Sequence, residues 1–147
     1  MGLDMMLFRE QGQTNKETPD YDNLDEIGYW RKFNALHNWF VINVQDGLDN
    51  CELHKVTKSD LLELYQIIFY IYNNQDDIDY INANFEPQSG FFFGSIDIDE
   101  YFFIDIKDTL TLLEAILEEN ELTTYWDKLT VDPVNFETDT LYYQSSW

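Results

Sequence analysis

The chain of 147 residues is long enough for a single domain with a sizeable core, and its 29 acidic and 8 basic side chains give a formal net charge of −21. Repulsion between like charges disfavours direct contact with nucleic acid or an anionic membrane, so a basic protein is the expected type of partner. Since 44% of the residues are hydrophobic and 17% are aromatic, we expect the chain to fold despite its charge.

The predicted elements begin after a polar N-terminal segment. Residues 1–23 are expected to form a partly ordered lead-in, and residues 24–147 a single α+β domain. A first helix is predicted from about residue 24 to Asp46, and Gly47 supplies its C-terminal stop. The apolar residues of this segment recur at the spacing of one helix face: Ile27, Trp30, Phe33, Leu36, Phe40, Val41 and Val44.

A second helix is predicted over residues 58–74, after a short strand at Cys51–Val56. Thr57 and Asp60 have the spacing of a capping box, which satisfies free backbone N–H groups at a helix start. Apolar residues occupy nearly the whole circumference of this helix between positions 61 and 72. We therefore expect it to be the most buried helix of the fold.

A third helix is predicted from Asp99 to Glu119, with an aspartate at its start, where negative charge suits the helix dipole. The β-prone run Phe91–Phe93 and a strand at Thr140–Ser145 are expected to pair. Together these elements predict an α+β fold in which three main helices pack on a short antiparallel sheet.

The acidic residues are concentrated in the second part of the chain. Residues 1–58 hold ten acids and six bases, whereas residues 59–147 hold nineteen acids and two bases. A compact surface with so many carboxylates approaches the charge density of DNA, about one charge per 1.7 Å of helix axis. The candidate phosphate surrogates lie at predicted helix ends and loops: Asp76, Asp77, Asp79, Asp97, Asp99, Glu100, Glu118 and Glu119. The alternative is a solvated face that only keeps the protein soluble.

The sequence contains no recognisable catalytic or metal-binding motif. Cys51 and His54 have a C-x-x-H spacing, but a structural zinc site needs four ligands and no others lie nearby. The acidic run that starts at Asp97 lacks the glycine that an EF-hand calcium loop requires at its sixth position. We therefore expect no metal and no cofactor, and a protein that binds a partner rather than catalysing a reaction.

Several features indicate an intracellular protein. Cys51 is the single cysteine, so the chain has no internal disulfide. The first residues do not have the pattern of a signal peptide. No apolar run approaches the ~18 residues that a membrane span needs.

The segment at residues 28–41, GYWRKFNALHNWFV, has two interpretations. The first is a structural hub formed by Tyr29, Trp30, Arg31, Asn34, His37 and Trp39. In that case Arg31 and Lys32 would pair with local carboxylates, namely Asp25, Glu26 or Asp46. The second is a partner contact, because Trp, Tyr and Arg dominate binding hot spots. Its candidates are Tyr29, Trp30, Arg31, Trp39 and Trp147.

Three segments carry a resemblance to known proteins: EIGYWRKFNALHNWFV at 26–41, QSGFFFGSIDIDEYFFIDIKDT at 88–109 and YYQSSW at 142–147. The most specific pieces are YWRK-x-N-x-x-H-x-W-F and the terminal YYQSSW, and on these segments the chain resembles a family of small acidic proteins encoded by bacteriophages and prophages. The likeness covers roughly half to two-thirds of the chain. That family has no assigned activity. The resemblance therefore implies a phage source and the cytoplasm of the bacterial host, but no catalytic residues.

A phage source favours an inhibitor of a host enzyme, by analogy with other small acidic phage proteins. Such an inhibitor would bind a basic host protein, for example a CRISPR or restriction nuclease, and block its nucleic-acid site by charge mimicry. The alternative is a non-catalytic interaction module of a phage protein complex, in which acidity serves solubility. A monomer and a homodimer are both compatible with the sequence.

Overall fold

The computed structural model describes residues 2–12, 19–124 and 128–147. Within these ranges a four-stranded antiparallel sheet has the order β2-β1-β6-β3, and a separate two-stranded pair is formed by β4 and β5. The strands are β1 (Asp4–Glu10), β2 (Leu24–Arg31), β3 (His54–Val56), β4 (Leu122–Thr123), β5 (Thr130–Val131) and β6 (Thr140–Ser146). The helices are α1 (Asn34–Asn43), α2 (Lys58–Asn73), α3 (Ile78–Asn84) and α4 (Glu100–Leu117). The α+β class is confirmed, with four helices in the described part of the chain instead of three.

The N-terminal segment is part of the sheet rather than a lead-in. β1 pairs with β2 on one edge and with β6 on the other, so it is a central strand. Its side chains alternate between the two faces: Met5 and Leu7 are fully buried, whereas Met6 and Phe8 are half-buried. The boundary expected near residue 23 therefore does not separate the domain from a lead-in. Residues 13–18 of the expected lead-in lie outside the described ranges.

The expected first helix is wrong in its first half. Residues 24–31 form β2, and α1 begins only at Asn34. The misleading pattern comes from a β-bulge, because Ile27 is an extra residue in β2 at a shift in its pairing with β1. The bulge leaves the buried side chains of Ile27 and Trp30 three positions apart. That spacing is typical of a helix, although both residues belong to a strand.

Gly28 of β2 allows α4 to approach the sheet closely. A Cβ atom at this position would lie 2.8 Å from Cδ2 of Leu112 and 3.1 Å from Cη2 of Trp30. Trp30 is fixed in turn, since its Nε1 donates a hydrogen bond of 2.9 Å to Oγ1 of Thr109 on α4. A larger residue at position 28 would therefore require the Leu112 side chain to shift, next to a Trp30 ring that is held by its hydrogen bond.

The second predicted helix is confirmed as α2, but its expected burial is wrong. Thr57 and Asp60 form both hydrogen bonds of the capping box. Only one stripe of α2 is buried, whereas Leu62, Phe69 and Tyr70 on its other side are exposed. The most buried helix is α1, whose buried residues are Asn34, Ala35, Leu36, His37, Trp39 and Phe40.

The last strand matches its predicted bounds within one residue, but its partner was predicted wrongly. β6 pairs with β1 and β3, not with residues 91–93. Phe91 and Phe92 belong to a turn between Gly90 and Gly94, and Gly94 has a left-handed backbone with φ of 81°. Across the described ranges, no helix is long and apolar enough to cross a bilayer.

Candidate partner-binding surface

Asn34, the first residue of α1, holds the loop of residues 88–95 in place. Its side chain is buried, and Nδ2 donates to the carbonyl oxygens of Phe93 at 2.9 Å and Ser95 at 2.8 Å. Its Oδ1 accepts a 3.0 Å hydrogen bond from the backbone N–H of Gln88. One amide side chain thus satisfies three backbone groups of the loop, which fixes the path of the chain on both sides of Phe91.

His37, one turn further along α1, links the loop to β6. Nδ1 lies 2.6 Å from the Tyr143 hydroxyl and Nε2 lies 3.0 Å from Oδ1 of Asp49. Since a carboxylate only accepts, the arrangement fits a neutral imidazole that donates from Nε2 to Asp49 and accepts at Nδ1 from Tyr143. Burial holds the pKa of His37 below its ordinary value of 6.5, against the opposing effect of Asp49. The imidazole is therefore neutral at physiological pH.

Tyr143 and Phe93 complete the network around His37. The Tyr143 ring stacks on Phe40 with 3.9 Å between centroids, and burial raises the pKa of its hydroxyl well above the ordinary value. Phe93 packs its edge on His37 at 5.3 Å. Because His37 and Tyr143 are both fully buried, a substrate has no access to them. The network is structural, and it joins the three segments on which the resemblance rests.

Above this network, the loop presents one aromatic ring to solvent. Phe91 is 94% exposed, and its ring lies 4.8 Å from that of Phe92. The exposure of Phe91 does not follow from the sequence, because the run of three phenylalanines was expected to pair as a strand. Of the three rings only Phe93 is buried, with 8% exposure.

The acidic set named from the sequence is divided between two places. Tyr72 and Gln75 at the end of α2 share a groove with Asp99 and Glu100 at the start of α4. Asp99 and Glu100 line this groove together with Lys107, and the other four acids lie within four residues of the groove in the chain: Asp76, Asp77, Asp79 and Asp97. Glu118 and Glu119 lie at the far end of α4, about 27 Å away for a helix of 18 residues.

Two of these acids also stabilise helix starts. Asp77 is the N-cap of α3, and its other oxygen accepts a 2.6 Å hydrogen bond from the Tyr70 hydroxyl. This hydroxyl lowers the pKa of Asp77 below its ordinary value, with a further contribution from the backbone N–H of Tyr80. Asp99 caps α4 through the N–H groups of Tyr101 and Phe102. The carboxylates of Asp77 and Asp99 thus have a structural task as well as a charge.

Glu118 and Glu119 have no such task. They follow the C-terminal end of α4, where the helix dipole disfavours negative charge. Glu119 also has a left-handed backbone with φ of 57°, a conformation that favours glycine. The Glu118 carboxylate accepts a 3.3 Å hydrogen bond from Nδ2 of Asn120, but the helix dipole at Glu118 and Glu119 and the backbone conformation of Glu119 both disfavour these residues.

The alternative contact residues do not form one surface. Trp30 and Trp39 are 6% and 4% exposed and belong to the core. Arg31 pairs with Asp4 at 2.8 Å instead of with Asp25, Glu26 or Asp46, and the Tyr29 hydroxyl donates to the same carboxylate. Trp147 is half exposed, and its Nε1 donates to Asp49 at 3.2 Å.

A cavity of about 270 Å³ lies between the start of α1 and the start of α4. Arg31 and Lys32 form one wall, and Asp97, Asp99 and Asp105 form another. Burial and, to a smaller extent, the nearby Asp108 raise the pKa of Asp105 to about 6. This shift could not be predicted from the sequence, because Asp105 is one of many acids on a predicted helix.

Among the described residues, no group of three or more His, Cys, Asp or Glu side chains has the arrangement of a metal site. No protein-family model, curated protein or solved structure matches the chain. The function is therefore argued from the charges and contacts of the surface itself.

Proposed function

We propose that the protein is a non-catalytic inhibitor that binds a basic nucleic-acid-handling protein of a bacterial host and occupies its nucleic-acid site by charge mimicry. A CRISPR or restriction nuclease is a partner of this type. The proposal is supported by the lack of ion-pair partners for the eight candidate acids among the described residues. None of them forms an ion pair within the described ranges, whereas the arginine pairs there use Asp4, Asp25 and Asp139. Their charge is available to the lysines and arginines of a partner.

The positions of the acids support a role in binding. Seven of the eight are exposed, and Asp77 is half-buried. No basic residue occupies the last turn of α2, α3 or α4, although the helix dipole favours one there. A surface that kept both signs would be equally soluble and more stable, so solubility alone does not explain this distribution.

The proposal is tested by retention of bacterial proteins on the immobilised chain. A partner held by charge mimicry should be released as the salt concentration rises, because the Debye length falls from about 10 Å at 0.1 M to 3 Å at 1 M. It should also be displaced by a double-stranded DNA oligonucleotide that competes for the same site.

A charge-reversal variant locates the contact. Asp76, Asp79, Asp97 and Glu100 are changed together to Lys, while the helix caps Asp77 and Asp99 are left intact. The matched control changes four exposed acids elsewhere to Lys: Asp22, Asp46, Glu52 and Glu137. Binding should be lost in the first variant and kept in the control. Equal binding by both variants, or a retained partner that DNA does not displace, would contradict mimicry.

The alternative proposal is an interaction module of a phage protein complex. Exposed aromatic side chains favour this alternative. Among the tryptophans of the predicted contact, Trp147 is half exposed, whereas Trp30 and Trp39 are buried. Trp30→Ala does not test it, because removal of a core ring would unfold the domain. Trp147→Ala is the appropriate variant, and loss of a salt-resistant partner in this variant would favour the module.

A further inference from the structure

Phe91 is exposed to a degree that the fold does not require. A phenylalanine ring left in water does not contribute the hydrophobic free energy that its burial would supply. Single exposed apolar residues are common on protein surfaces and need no explanation by themselves. Phe91 differs because the loop that carries it is firmly held and because further apolar side chains lie beside it in the chain.

The loop is attached to three separate parts of the molecule. The backbone N–H of Leu3 donates to the Phe92 carbonyl at 2.9 Å, and Asn34 holds the loop from α1. Phe93 is buried on His37. Beneath the turn, the alkyl stem of Lys32 lies so close to Gly94 that a Cβ atom there would be 3.1 Å from Cβ of Lys32. A partner would therefore meet a loop that is already ordered, and binding would lose little conformational entropy.

Between Ile96 and Tyr101 the chain carries both apolar and acidic exposed side chains. Ile96 is 53% exposed and Tyr101 is 70% exposed. The acids Asp97, Asp99 and Glu100 lie between or beside them, and the sequence from 59 to 106 has no lysine or arginine. Aromatic and aliphatic anchors surrounded by charge are typical of the centre and rim of a binding interface.

We infer that Phe91 is the central anchor of a protein–protein contact and enters an apolar pocket on a basic partner, with Ile96 and Tyr101 beside it. Asp97, Asp99 and Glu100 would face basic residues at the rim of that pocket. Near the loop, Arg31 is paired with Asp4, and the stem of Lys32 lies under Gly94. The inference that the partner is basic depends on the proposed function, whereas the inference that Phe91 is an anchor depends on the geometry of the loop.

The test compares two exposed phenylalanines. Phe91→Ala removes the anchor, and Phe69→Ala on α2 is the control, since Phe69 is 49% exposed and lies on another element. Both variants should keep the melting temperature of the wild type within a degree or two. A bacterial protein retained by the wild type is purified, and its Kd for each chain is measured by calorimetry. We expect Phe91→Ala to weaken binding at least tenfold, Tyr101→Ala to weaken it less, and Phe69→Ala to leave it unchanged.

Each outcome decides a different claim. The inference is wrong if the wild type retains no protein, or if Phe91→Ala binds as tightly as Phe69→Ala. If binding depends on the four reversed acids but not on Phe91, mimicry stands without the anchor. If binding depends on Phe91 but DNA does not compete, the anchor stands and mimicry fails.

Discussion

Nδ1 of His37 lies 2.6 Å from the hydroxyl oxygen of Tyr143, and both side chains are fully buried. The hydrogen bond joins α1 to β6, two elements that are distant in the sequence. In the neutral imidazole described above, Tyr143 is the donor and His37 the acceptor. The bond therefore fixes both the ring orientation and the tautomer of His37.

Tyr143→Phe should lower the free energy of unfolding by about 1–3 kcal/mol, because it leaves Nδ1 of His37 buried without a partner. The control is Tyr142→Phe, the adjacent residue on the opposite face of β6, whose hydroxyl makes no hydrogen bond to the described residues. Urea unfolding monitored by circular dichroism measures both variants. An equal loss in the two variants would contradict the role given to the His37–Tyr143 bond.

The contribution of His37 to the free energy of unfolding should decrease as the pH falls below about 6.5, whereas protonation of Asp105 near pH 6 acts in the opposite direction. Burial depresses the pKa of His37 in the folded state, so the unfolded state binds more protons as the solution becomes acidic. The free energy of unfolding is measured for the wild type and for His37→Gln between about pH 7.5 and 5.5. The variant should lose less stability over this range. Parallel curves would show that His37 does not titrate in this way.

Asn34→Ala should destabilise the domain by about 1–3 kcal/mol, because three backbone groups of the loop at 88–95 lose their partner. Asn38→Ala is the control, since the side chain of Asn38 makes one exposed hydrogen bond of 3.3 Å. Amide hydrogen exchange should also become faster in the loop for Asn34→Ala. If exchange in the loop is unchanged, the side chain of Asn34 does not hold it in place.

Asp105→Asn should raise the melting temperature above pH 6 and have little effect near pH 4. Burial raises the pKa of Asp105 to about 6 in the folded state, so the folded protein loses stability as the pH rises through that value. Asp108→Asn should lower the pKa of Asp105, because it removes a neighbouring negative charge. A titration of the Asp105 carboxyl by NMR measures the pKa directly, and an ordinary value near 3.8 would contradict the prediction.

The elements predicted correctly are those whose caps and residue patterns lie within their own segment of the sequence. α2 and α4 have caps and apolar spacing within their own segments, and the strand near residue 140 contains the β-prone run Thr140–Tyr143. β1 and β2 were missed because their identity depends on pairing between distant residues. In β2 the bulge at Ile27 also replaced the alternation of a strand with a helical spacing.

The candidate surface was predictable only in its charge. The acids from Asp76 to Glu100 lie near one end of the helices because α2 packs against α4. The sequence does not specify this packing. The exposure of Phe91 beside the buried Phe93 depends on Gly94 and on the side chain of Asn34, which lies far away in the sequence. A hydrophobic run alone does not tell which of its rings faces water.

The pairing of β1 with β6 has a consequence for synthesis of the chain. β1 is made first, but its second edge stays open until the residues from Thr140 to Ser146 have left the ribosome. Contacts between such distant segments form slowly, because a long loop must close before they add stability. A ribosome that stalls before Thr140 would therefore hold a chain with an open, half-apolar strand edge, the kind of edge that pairs with other chains and leads to aggregation.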